Sequence, residues 1–168
     1  MRRFAVFGAL ALAVSVPVAV SHAAGKGPTD GCLVVSNSNS IVTVNARGTV
    51  VGRFDQGQVT VTDPTPDDGT VKVWGYDEVT TLTPPANGGT RKRYTGDTSI
   101  RFRASGKTIV RVEAIGIDLS AVGRGKVTLN GGVFFDPGTY SVDSDSFCQD
   151  KFHVLPEVPQ TFVLGTTT

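Results

Sequence analysis

The sequence predicts an all-β protein: an antiparallel β-sandwich or flattened barrel of about ten short strands, preceded by a helical leader. Three observations predict it. From Ala24 onward the chain holds 20 Val and 20 Thr against 6 Leu and 6 Ala. β-Branched side chains suit a pleated, half-buried surface, whereas Leu and Ala suit helices. Apolar residues nowhere recur at helical spacing over a helix length, and alternation with period two is frequent. Clusters of Gly, Pro, Asn and Asp punctuate the alternating runs at short intervals.

The elements follow in chain order. Arg2 and Arg3 open a leader, Phe4 to Val20 is an apolar run broken by Gly8, Ser15 and Pro17, and Ser21-His22-Ala23 presents small residues before a cut after Ala23. That is the layout of a secretory signal peptide. A 17-residue run containing proline is short for a membrane span, which needs roughly 20 residues. The expected organisation is therefore a signal peptide over 1–23, a flexible linker over 24–31, one all-β domain over 32–155 and a tail over 156–168. The product is expected to be secreted, with no membrane association after cleavage. Removing Arg2 and Arg3 lowers the formal charge from +1 to −1, 14 basic against 15 acidic residues. With export, that balance argues against a nucleic-acid partner.

Strands are expected near 32–36, 41–47, 49–54, 58–63, 70–76, 79–83, 91–95, 98–104, 108–115, 126–130, 133–135, 139–142 and 147–154, about ten after merging. Val59 and Val61 alternate with Thr60 and Thr62, Ile100 and Phe102 with Arg101 and Arg103, Val127 and Leu129 with Lys126 and Thr128. Ser105-Gly106-Lys107 reads as a hairpin loop, and a three-residue loop sets Phe102 beside Val110 and Ile100 beside Val112. Arg101, Arg103 and Arg111 then share the opposite face.

The sequence also echoes itself. Val51-Gly52-Arg53 returns as Val122-Gly123-Arg124, and Gly57–Thr62 as Gly125–Asn130. Asp63-Pro64 followed by Gly69-Thr70-Val71 returns as Asp136-Pro137-Gly138-Thr139-Tyr140. The spacing drifts, so chance in a Gly/Val/Thr-rich chain and duplication both stay open.

Two cysteines survive leader removal, so one pairing exists, Cys32 with Cys148. Export delivers the chain to a compartment where disulfides persist. With both cysteines paired and His153 the sole remaining histidine, zinc lacks ligands. His153 is the one candidate base for a hydrolase, with Ser120 and Asp118 on one strand, but no Gly-x-Ser-x-Gly elbow accompanies it. Asp77 and Glu78 are adjacent on a strand and point to opposite faces, which rules them out as a glycosidase pair. Calcium takes loop oxygens, and Asp63, Asp67 and Asp68 share one loop, Asp143 and Asp145 another. Arg91-Lys92-Arg93 and the Arg101, Arg103, Arg111 face are candidates for an anionic polymer or head group. Trp74, Tyr76 and Tyr94 are a candidate sugar platform, although a single Trp more often anchors a core.

Two stretches, Gly52-Arg53-Phe54 through Val59-Thr60-Val61-Thr62-Asp63 and Gly116 through Val127, resemble small uncharacterised secreted all-β proteins of actinobacterial type. The resemblance covers most of 41–142 and implies no activity, cofactor or site residue. The leading expectation is a non-enzymatic secreted domain with a structural or binding role toward an unknown extracellular ligand, needing no cofactor. The alternatives are a secreted hydrolase using His153 and a small-ligand carrier barrel.

Overall fold

Two strands dominate the sheet. In the computed structural model, which describes residues 30–86, 88–132, 135–144, 148 and 151–166, β1 spans Gly31–Phe54 and β6 spans Ile100–Asn130, 24 and 31 residues long. The shorter strands are β2 (Gln56–Asp63), β3 (Val71–Trp74), β4 (Glu78–Thr81), β5 (Thr90–Gly96), β7 (Thr139–Asp143), β8 (His153–Val154) and β9 (Gln160–Leu164). Among the described residues one 3-10 turn is present, at Pro66–Asp68. All pairings are antiparallel, in one nine-stranded sheet ordered β4-β5-β2-β6-β1-β7-β8, with β3 and β9 each pairing β6 as well. The expected leader and all but the end of the expected linker lie outside the described residues.

β1 and β6 pair twice. In one ladder Gly31 faces Gly123 and Phe54 faces Ile100; in the other Ile41 faces Asn130 and Arg53 faces Asp118. β2 prolongs the second ladder, with Gln56 facing Ile115 and Thr62 facing Ile109. Val112 thus lies between Val42 and Val59, and Val42 between Val112 and Leu129. A ribbon whose strands serve two ladders has to coil. Residues 42 and 59, on neighbouring turns, flank one β6 residue. The coil turns at irregular points where the ladder register slips, between Val35 and Ser38 and between Ser38 and Ser40. There the Asn39 side-chain oxygen accepts the Gly116 N–H at 2.9 Å, and Ile115 O accepts the Asp55 N–H at 3.0 Å. An extra residue in one strand bends it and increases its twist.

Inside the coil, alternate residues make one core. Phe54, Leu33, Ile100, Ile117, Leu129, Val42, Val44, Val59 and Val110 are among the largest fully buried side chains. The sheet coils around this core but does not close into a barrel.

Several expectations change. The strands expected at 41–47 and 49–54 are continuous, as are those at 98–104, 108–115 and 126–130. Ser105-Gly106-Lys107 is therefore no hairpin: Gly106 continues the ladder opposite Gly48. Phe102 pairs with Gly52 and Val73, and Val110 with Val44 and Val61. The expected strand at 147–154 shrinks to His153–Val154, with residues 147, 149 and 150 outside the described set. Of the expected strand at 133–135, residues 133 and 134 lie outside it as well. The expected tail over 156–168 contains β9, which pairs with β6 from Leu164–Gly125 to Gln160–Leu129 and buries Leu164.

The halves of the chain repeat one another's pairing. Gly57 on β2 pairs with Gly96 on β5, and Gly125 on β6 pairs with Leu164 on β9. Both partners are displaced by 68 residues, 57 to 125 and 96 to 164. Val71 pairs with Ala104, and Tyr140 pairs with Val35; here the displacement is 69, 71 to 140 and 35 to 104. The register slips account for the one-residue drift. Equivalent side chains do equivalent work: Val73 and Val142, and Tyr94 and Phe162, pack partly buried against the core. Two of the sequence echoes, Gly57–Thr62 with Gly125–Asn130 and Gly69-Thr70-Val71 with Gly138-Thr139-Tyr140, fall on this displacement. Val51-Gly52-Arg53 with Val122-Gly123-Arg124 does not. Val51 instead corresponds to Ser120, its own ladder partner, so the axis exchanging the halves runs between these two residues.

Candidate functional site

That axis opens on a groove of about 420 Å³ on the outer face of the sheet, lined in part by Val34, Val51, Arg53, Arg101, Asp118 and Ser120. Ladder positions explain the gathering. Lys72, Arg103, Val51, Ser120, Val34 and Ser141 form one cross-strand row. Trp74, Arg101, Arg53 and Asp118 form the next. Neighbours in such a row lie roughly 5 Å apart on one face.

The charges in these rows are unbalanced. Arg53 donates from Nε and Nη2 to Asp118 Oδ2 at 3.0 and 2.7 Å, and the Asn37 N–H donates to Asp118 Oδ1 at 3.0 Å. The Asn37 hydrogen bond, then Arg53, holds the Asp118 carboxyl below its ordinary value, while partial burial opposes them. Lys72, Arg101 and Arg103 take part in none of the ion pairs among the described residues. Yet Lys72 faces Arg103 directly, and Arg53 faces Arg101. Like charges directly opposite one another destabilise a sheet. Trp74, next to Arg101, is 50% exposed, so it does not anchor the core. Tyr76 and Tyr94 meet edge to face at 5.0 Å, and burial pushes the Tyr94 phenol up.

The expected site residues fall as follows. Arg101, Arg103 and Arg111 all point outward, but only the first two lie in these rows. Arg111 is eight positions further along β6, between Thr43 and Thr60, and pairs with Glu113 at 3.4 Å. Arg91 and Arg93 share one face of β5 and Lys92 the other. The calcium set does not assemble. Asp63 is buried and accepts the Thr65 N–H at 3.1 Å. Asp68 meets Arg47 at 3.0 Å and accepts the Lys107 N–H at 3.1 Å; that backbone hydrogen bond is the main cause holding its carboxyl low. Asp67 is exposed. Among the described residues no group of three His, Cys, Asp or Glu is placed to hold a metal; Asp145 lies outside them. His153 is exposed on β8, its ring 5.8 Å from Tyr140. β1 and β7 separate β8 from the strand carrying Ser120, so the hydrolase set is dispersed.

Cys32 and Cys148 form the expected disulfide, with Cα atoms 5.8 Å apart. No helix among the described residues is long and apolar enough to cross a membrane. No known protein family, curated protein or solved structure matches the chain.

Lys72 and Arg53 were not legible as site residues, and Asp118 was read only as a hydrolase candidate, because only pairing between distant segments brings the three onto one face. Asp118 gives the groove a pH signature. Its folded carboxyl titrates below the ordinary 3.8, so its contribution is complete above the unfolded value and is lost as pH falls through the folded one. Thermal melts between pH 5 and pH 2 should show the native protein losing stability more steeply than Asp118→Asn; parallel profiles would contradict the assignment.

Proposed function

We propose that this is a non-enzymatic exported domain that binds a negatively charged extracellular ligand in the groove on the pseudo-two-fold axis. One observation carries the reading: the like-charged cross-strand pair Arg53 and Arg101 lines a largely apolar groove, a second such pair, Lys72 and Arg103, adjoins it on the same face beside Val51, and the only carboxylate in those two rows is committed to Arg53. Sheets often carry exposed arginines for solubility or to guard an edge. That role needs charge, but not cations placed opposite one another across a ladder. An arriving anion relieves the repulsion and gains charge-assisted hydrogen bonds. The leader and the disulfide support an extracellular setting. The dispersal of His153, Ser120 and Asp118 disfavours the hydrolase alternative, and a packed, unclosed sheet disfavours the carrier barrel.

The test uses 8-anilinonaphthalene-1-sulfonate, a small aromatic sulfonate that fluoresces when it leaves water. The native protein should bind it in a salt-sensitive manner. A hydrogen bond to a charged group contributes about 1.5–3 kcal/mol, so Arg101→Ala should weaken binding about tenfold or more, and Arg111→Ala should leave it unchanged. Equal binding by native protein and Arg101→Ala, or no binding by the native protein, would refute the reading.

A further inference from the structure

The repeated halves give this chain an internal control. β3 lies against the first turn of β6 as β7 lies against the first turn of β1. On the inner side the two ends agree: Val71 and Val73 at one, Tyr140 and Val142 at the other, all packed on the core. On the outer side they differ completely. Where one end pairs Lys72 with Arg103 and Trp74 with Arg101, the other pairs Ser141 with Val34 and Asp143 with Cys32. Cys32 is buried in the disulfide and Ser141 is buried, whereas Lys72, Trp74, Arg101 and Arg103 are exposed. The same backbone arrangement therefore stands without any of these four side chains. Folding does not require three cations and an indole here.

We infer that the β3–β6 end is a binding site for an acidic polysaccharide, with Trp74 stacking on a sugar ring and Lys72, Arg101 and Arg103 holding its carboxylates or sulfates. This rests on the reading of the groove as an anion site and names its ligand. The row from Lys72 to Val34 crosses β3 and then β6 and β1 twice each, four steps or about 19 Å at a ~4.8 Å strand spacing, so it matches an extended chain rather than a single small anion. The cations occupy neighbouring positions on adjacent strands, which suits an anion repeated along a polymer. An indole beside guanidinium groups offers an apolar face for a sugar and charge for its acidic substituent. A membrane surface fits less well, because the site has a single exposed aromatic, Trp74, among three cations.

Trp74 is the only tryptophan of the chain, so its fluorescence reports the site directly. The full exported protein is titrated with heparin, with polygalacturonate, with neutral dextran and with phosphatidylglycerol vesicles. Heparin or polygalacturonate should shift the Trp74 emission in a salt-dependent way, and dextran should not. Lys72→Ala and Arg103→Ala should each weaken binding at least fivefold. Trp74→Phe should retain most of the affinity and Trp74→Ala lose it, both followed by retention on immobilised heparin. Far-UV spectra confirm that each variant is folded. If the aromatic sulfonate binds but neither acidic polysaccharide does, the polysaccharide assignment falls and the groove reading stands; if none binds, both fall. A Trp74 shift with vesicles alone overturns the assignment in favour of a lipid surface.

Discussion

Removing the Cys32–Cys148 bond is expected to lower the melting temperature by several degrees, up to about 20 °C, while leaving the far-UV spectrum at low temperature unchanged. The bond joins residues 116 apart in sequence. On the chain-entropy account, a loop of that length restricts the unfolded state by roughly 4.9 kcal/mol, an upper figure because residual structure in the unfolded chain reduces it. For a domain of this size each kcal/mol moves the midpoint by roughly 2–4 °C. Position adds to the effect. Cys32 lies in β1, paired on both edges with Val122 and Asp143, while Cys148 lies between the short strands β7 and β8. The bond therefore fastens the weakly paired end of the sheet to its centre. β1 and β6 keep their ladders without it, so the β spectrum persists. Cys32→Ala/Cys148→Ala compared with the native protein, by scanning calorimetry, checks this. A shift below about 3 °C would mean that the unfolded chain is already restricted, and two free thiols in the denatured protein would mean that the bond is absent.

This bond was legible because the expected mature chain holds two cysteines and one pairing. The strand positions were legible for a comparable reason: alternation of Val with polar residues is a local signal, and β2 and β3 fall close to where it places them. Strand length was not. Gly48, Gly106, Gly123 and Gly125 look like turn residues in the sequence, yet each lies within a strand; a side chain would strike the backbone of the partner strand at Gly48, Gly123 and Gly125, and Asp68 and Gly69 at Gly106. Glycine marks a turn or a close approach, and only the coil decides between them. β9 was hidden for a different reason: Pro156 and Pro159 precede it, and its Thr-Phe-Val-Leu run is too short to claim a strand without a partner. The outward placement of Arg101 and Arg103 follows from alternation alone. Their opposite neighbours Arg53 and Lys72 follow only from register, which is why half the charge in the site could not be read along the chain.

The repeat makes its own prediction at two of those glycines. Gly57 and Gly125 occupy equivalent positions with φ of +140° and +156°, values that L side chains rarely adopt. A methyl group on Gly57 would stand 2.6 Å from Ala114 Cα, and one on Gly125 2.6 Å from Ala46 Cα. Ala46 and Ala114 are themselves equivalent, 68 residues apart. The collision is with backbone in the middle of the sheet, so no side-chain rotation relieves it. Backbone strain costs of order 1–3 kcal/mol and overpacking typically a further 1–3 kcal/mol. Gly57→Ala and Gly125→Ala should therefore each lose about 2–6 kcal/mol, and by similar amounts. Gly88, with φ of +92° and nothing within 4 Å of the added atom, separates the two causes: Gly88→Ala carries the strain without the collision and should lose about 1–3 kcal/mol. Chemical denaturation of the three variants measures the differences. Should Gly57→Ala cost no more than Gly88→Ala, the two ladders would be looser at that point than their geometry requires. A large loss at one of the paired glycines and none at the other would mean that the halves do not share the load of the coil equally.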